Sequence, residues 1–237
     1  MHFVLGAGAA ALVVLPMLSV WYPRPLFEAA GTGRLPVLLT MVGVILGPLV
    51  TFLALRYGRA FSKSRVTTIA VVQTFVLAGC ALALYVQRPV YLVFTIDRFD
   101  LVLAGDLDPR DLAKAARAEF QRRPLGGPEY VAALPPADPA EAQRILVGSL
   151  DAGKDLQAYP QHYVPYAQEA RNALRRAKPV DAIRAPGSGK LVRHLESIGR
   201  APASVRFLPM RARKEDGIVV LDAVSGLPLA IFLVDPW

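Results

Sequence analysis

The sequence holds one cysteine and three histidines in 237 residues. A lone Cys80 forms no intrachain disulfide, so any domain built by this chain is held by its core. His2, His162 and His194 stand far apart, with no pair at metal-ligand spacing, which argues against a zinc site. Ser149, Ser188 and Ser197 lack the setting of a nucleophile elbow. The glycine-rich run Pro186 to Lys190 fails as a phosphate loop twice: Arg184 stands where the first glycine belongs, and Leu191 replaces the hydroxyl that would hold magnesium. Asp97 and Asp100, at odd spacing along an expected strand, point to opposite faces and make no acid and base pair. No catalytic residue, metal ligand or cofactor is expected, and the chain reads as a non-enzyme.

Charge is missing from three long stretches. Phe3 to Trp21, Leu35 to Leu55 and Val66 to Val86 contain no charged residue, and each approaches the roughly 20 residues that a membrane-spanning helix needs. With 54% hydrophobic residues overall, this predicts three transmembrane helices in residues 1 to 86 and a separate domain over 87 to 237. A positive n-region is nearly absent, and the first run ends in Trp21-Tyr22, an interfacial aromatic anchor by type, so a spanning helix is favoured over a cleavable signal peptide. Arg56, Arg59, Lys63 and Arg65 lie in a second loop without acids. The positive-inside rule makes that loop cytoplasmic, the N-terminus cytoplasmic, and the C-terminal domain extracytoplasmic, which in a diderm bacterium is periplasmic. Arg88 is then expected at headgroup level.

The formal net charge of +8 follows the same division. Residues 1 to 86 hold 6 basic and 1 acidic side chains, and the remainder 21 and 18. Most of the excess is topological, and no nucleic-acid partner is implied. Arg171, Arg175, Arg176 and Lys178 form one helix face and its end, a solvated face or a patch for anionic lipid or a partner.

From Arg88 the pattern is that of a folded domain. Val90 to Ile96 is β-branched and aromatic, apolar on nearly both faces, as in a central strand, and Phe99 to Leu103 continues it or forms a second strand. Asp108 with Pro109 and Asp138 with Pro139 are helix starts, predicting helices to about Arg122 and over Ala140 to Leu150, the latter burying Ile145, Leu146 and Leu150. Tyr130 to Leu134 suits a short strand and Lys154 to Tyr166 an ordered loop. Helices are expected over Pro165 to Ala177 and Ser188 to Ile198. The end is β, with Ser204 to Arg211, Ile218 to Asp222 and Pro228 to Val234 joined as two hairpins. The fold class is α+β with a mostly antiparallel sheet, the first strand pairing with the terminal three.

Trp21-Tyr22-Pro23, Pro25-Leu26-Phe27, Leu46-Gly47-Pro48-Leu49, Thr51, Gln73, Arg88-Pro89-Val90, Leu92-Val93-Phe94 and Asp97-Arg98-Phe99 stand in order and at sensible spacing, and the C-terminal Phe207-Leu208-Pro209, Gly226 and Asp235-Pro236-Trp237 extend the pattern. In these residues the chain resembles the type IV pilin accessory proteins, the TfpX/TfpZ group. Members often carry an acidic residue before the Leu-Gly-Pro, where this chain has Gly43, and usually a longer basic N-terminus; the middle of the chain is not matched. The resemblance implies a multi-pass protein of the bacterial inner membrane that assists a type IV pilin subunit in assembly, stability or display, with other pilus assembly proteins and membrane lipid as further partners. Trp21, Tyr22, Pro23, Gly47, Pro48, Arg88, Tyr91, Asp97, Arg98, Phe99 and Trp237 are the candidate partner contacts, and the alternative for the Arg88 to Phe99 segment is a lipid anchor followed by a core strand. The competing reading is a membrane-anchored periplasmic sensor or ligand-binding module.

Overall fold

The computed structural model describes residues 15, 18–31, 63–183, 188–197 and 199–236. Eight strands form one mixed sheet: β1 (Pro89–Phe94), β2 (Phe99–Leu103), β3 (Glu129–Ala133), β4 (Tyr163–Pro165), β5 (Lys178–Pro179), β6 (Val205–Arg211), β7 (Gly217–Asp222) and β8 (Pro228–Phe232). The order is β4-β3-β1-β2-β6-β7-β8, with β5 on β6. The helices are α1 (Leu26–Ala29), α2 (Lys63–Gln87), α3 (Pro109–Leu112), α4 (Pro139–Ala152), α5 (Tyr166–Arg176) and α6 (Ser188–Ser197).

β1 is central, as its composition requires, and all six of its residues are buried. It runs antiparallel to β2 and parallel to β3. The expected pairing of the first strand with the terminal three is corrected: β2 makes that join, in parallel with β6, through only Phe99↔Met210 and Asp100↔Arg211. The two terminal hairpins form as expected.

Each sheet face has its own core. Leu92 and Phe94 of β1, Phe99 and Leu101 of β2, and Leu208 and Val219 of the terminal hairpin pack with Tyr22, Leu26 and Leu84, and with Tyr166, Ala170 and Ala173 of α5. On the other face Tyr91, Val93 and Val131 meet Leu112, Phe120 and Ile145, while α6 lays Leu191 and Leu195 over Phe207 and Val220. A register shift between Pro89 and Tyr91 puts Val90 on the same side as Tyr91 and breaks the expected alternation there.

The expected three transmembrane helices, and the multi-pass inner-membrane location with its cytoplasmic N-terminus and periplasmic domain, are not supported: among the described residues no helix is long and apolar enough to cross a membrane. The second apolar run, 35–55, and nearly all of the first, 3–21, lie outside the described residues. The third lies in α2, where Thr67, Thr68, Gln73 and Thr74 interrupt it. The end of α2 is committed to the protein: Leu84 is buried in the core, and Val86 closes on Gly105.

Both Asp-Pro helix starts carry the expected side-chain caps. The Asp108 carboxylate accepts from Arg110 N at 2.8 Å and that of Asp138 from Ala140 N at 3.0 Å. The helix expected to reach Arg122 nevertheless stops at Leu112, and the chain turns so that Ala115 and Phe120 enter the core. Phe120 sits edge-on to Tyr91 and Tyr163, a placement that tertiary packing decides over local propensity. Among the described residues of α4 only Ile145 is buried; Leu146 and Leu150, expected inside, are exposed.

α3 is fastened through Asp111, which accepts from Lys114 Nζ at 2.9 Å and from Lys154 Nζ at 2.5 Å. Burial works to raise the Asp111 pKa, but the hydrogen bonds from Lys154 and Lys114 prevail and hold it below the ordinary value. Because the folded pKa is depressed, the stabilisation is complete above the unfolded-state value and is lost as pH falls through the folded one. Asp111→Asn is expected to cost about 1–2 kcal/mol at neutral pH and progressively less in acid. Urea denaturation of both forms from pH 7 to pH 3 checks this, and a pH-independent difference would contradict it.

Candidate functional site

The segment from Trp21 to Pro23 meets the end of α2 in a compact knot. Arg88, immediately after the helix, is fully buried, which corrects its expected place at a lipid headgroup. Its guanidinium lies 3.9 Å from the Tyr85 ring centroid and 5.5 Å from that of Trp21. Arg88 Nη1 donates to the Tyr85 carbonyl at 2.6 Å and Nη2 to that of Pro124 at 3.0 Å. Trp21 Nε1 donates to the Leu125 carbonyl at 2.8 Å, and the Tyr22 hydroxyl donates to the Leu84 carbonyl at 2.9 Å. Burial lowers the Arg88 pKa, yet the cation persists because carbonyls and ring faces replace its water. Three chain segments far apart in sequence are thereby held on one side chain.

The second cluster surrounds the β1–β2 turn, where Thr95 N donates to the Arg98 carbonyl at 2.9 Å. Ile96 and Asp97 occupy the exposed tip. Behind it, Asp100 is buried and accepts from the Thr95 hydroxyl at 2.9 Å and from Arg98 Nε at 3.1 Å. Arg98 also reaches Asp155 at 3.6 Å. Burial pushes the Asp100 carboxyl up despite the opposing Arg98 and Thr95. The expected shared strand of Asp97 and Asp100 is corrected: one is in the turn and the other in β2.

Of the residues named for partner contact, Pro23 and Asp97 are exposed, and Trp21 and Arg98 partly so. Tyr22, Arg88, Tyr91 and Phe99 are buried and act on any outer surface by shaping it. Gly47, Pro48 and Trp237 lie outside the described residues. Phe99 packs against Phe94, Tyr130 and Tyr166 at 5.5–6.0 Å between ring centroids, which makes the base of the turn stiff.

Beside the turn, at the carboxyl ends of the parallel strands β1 and β3, lies a groove of about 510 Å³ between the tip and α5. A concave, largely apolar groove with a few polar groups is the usual form of a binding site. Phe94, Ile96, Ala132 and Leu134 supply apolar lining, and Glu169, Asn172, Arg175 and Arg176 form the α5 wall. The basic helix face was visible in the sequence, but nothing local placed it opposite the β1–β2 turn. Among the described residues, no three His, Cys, Asp or Glu side chains assemble as metal ligands.

Fimbrial assembly proteins of Dichelobacter nodosus are similar to this chain. That of serogroup I is 28% identical over 181 residues, covering 76% of this chain and 70% of its own length. That of serogroup E1 is 24% identical over 237 residues, covering 97% and 91%. That of serogroups C1 and C2 is 28% identical over 116 residues, covering 48% and 88%. None of the three is named as an enzyme. No family model and no solved structure matches.

Proposed function

We propose that this chain is an accessory protein of type IV fimbrial assembly that acts by binding the pilin subunit and carries out no catalysis. The observation that carries this reading is similarity to fimbrial assembly proteins, one of them along 97% of the chain. The exposed turn at Ile96 and Asp97 supports it, because a rigid, fully buried strand behind the turn presents a fixed shape to a partner at little ordering cost.

The test is co-purification of the pilin with an affinity-tagged full chain, together with surface fimbriation of a deletion strain. The deletion is expected to lower pilin abundance or surface fimbriae. Ile96→Asp, which alters only an exposed tip, is expected to lower pilin retention about tenfold, the effect of losing roughly 1.4 kcal/mol of contact. Unchanged fimbriae and unchanged pilin in the deletion strain would overturn the reading.

A further inference from the structure

The α5 wall of the groove carries charge that the fold does not use. Asn172 donates to the Glu169 carboxylate, and Arg175 donates to the Asn172 carbonyl, so the one acid of the wall is engaged by an amide. Among the described residues neither Arg175 nor Arg176 is paired with a carboxylate. Both side chains are exposed. Their position in the last turn suits the helix dipole, but that preference would be met equally well by arginines facing open solvent.

Opposite them the groove is apolar and partly uncovered. Ile96 is 63% exposed and Leu134 39%, while Phe94 and Ala132 are buried beneath. A single exposed apolar side chain needs no explanation. Two that flank one groove, facing two guanidiniums that no carboxylate pairs among the described residues, define a chemical complement: apolar side chains with one carboxylate between them. A planar guanidinium binds a carboxylate through two parallel N–H donors, and does so better where apolar neighbours exclude water. A purely anionic ligand would leave Ile96 and Leu134 in water, and a purely apolar one would cover the arginines without pairing them.

We propose that the groove between the β1–β2 turn and α5 is a docking site for a short apolar segment of a partner protein that bears one Glu or Asp side chain. The inference rests on the preceding reading only in taking that partner to be the pilin. Its chemistry is tested without any pilin, using the full chain and a labelled pentapeptide, acetyl-Ala-Leu-Glu-Leu-Ala-amide, by fluorescence anisotropy. Saturable binding is expected, about tenfold weaker for the Gln counterpart. In the Arg175→Gln, Arg176→Gln double variant the two peptides should bind alike, with the fold intact because both side chains are exposed. Leu134→Glu should weaken both peptides. Equal binding of the Glu and Gln peptides to the unmodified chain, or no saturable binding, overturns the groove proposal. Peptide binding without pilin co-purification would overturn the assignment of the partner and leave the groove standing; the reverse result would overturn the groove and leave the assembly reading standing.

Discussion

Gly226→Ala is expected to destabilise the protein by about 3–5 kcal/mol, because it combines left-handed backbone strain with a steric clash. Gly226 has φ of 72°, and a Cβ there would overlap the Ala170 carbonyl oxygen in α5. The neighbour is helix backbone, so it cannot swing aside as a flexible side chain would. Moving the turn away would also break the bond from the Tyr166 hydroxyl to the Gly226 carbonyl, 2.7 Å long and buried. Gly153 supplies the control: its φ is similar, 65°, but a Cβ there meets nothing within 4 Å, so Gly153→Ala should cost only about 1 kcal/mol. Comparison of denaturation midpoints decides, and equal losses at the two glycines would show that contact with α5 is unimportant.

Arg88→Ala is expected to cost about 3–4 kcal/mol. It strands the Tyr85 and Pro124 carbonyls without their donor and leaves a void between the Tyr85 and Trp21 rings; each effect alone is worth about 1–3 kcal/mol. Arg88→Met separates them. It restores much of the volume and avoids burying a cation, so it should recover about half of the loss. Lysine is a poor substitute, since a point charge on a flexible stem cannot stack on Tyr85 while reaching two carbonyls. A midpoint unchanged in Arg88→Ala would mean that the knot contributes nothing to stability.

Much of the architecture was legible because it is written in short-range chemistry. The composition of β1 announced a central strand. The two hairpins at the end of the chain followed from alternating apolar runs and their turns, and the caps at Asp108 and Asp138 located helix starts. Long-range choices left no such mark. Nothing in Tyr130 to Leu134 says that this strand lies parallel to β1, and nothing in Phe99 to Leu103 says that it, and not β1, meets β6. Apolar spacing also misled. Leu146 and Leu150 share an exposed helix face, and α2 is apolar for reasons that include burial of Leu84 in a protein core. Arg88 was misplaced for the same reason: a basic residue after an apolar helix has one meaning beside lipid and another beside tryptophan and tyrosine.

The site was half legible. The Asp97-Arg98-Phe99 turn stood out as a motif, although only its tip faces outward. The opposing wall was seen as a basic helix face, without its location. Direction along a helix is readable from a sequence; what the helix faces is a property of the completed fold.

The narrow join between β2 and β6 also bears on how the chain assembles. Phe99 and Met210 are direct neighbours in the sheet, yet roughly 110 residues separate them, and closing a loop of that length costs about 4 kcal/mol of chain entropy. Two paired positions cannot offset such a penalty alone. The β6–β7–β8 meander has only local closures to make, so it can organise by itself, whereas its union with β1 and β2 waits until α5 has brought buried apolar surface to both. The seam is therefore expected to form late in folding and to part first, and faster amide exchange across β2–β6 than within β6–β7 would show it.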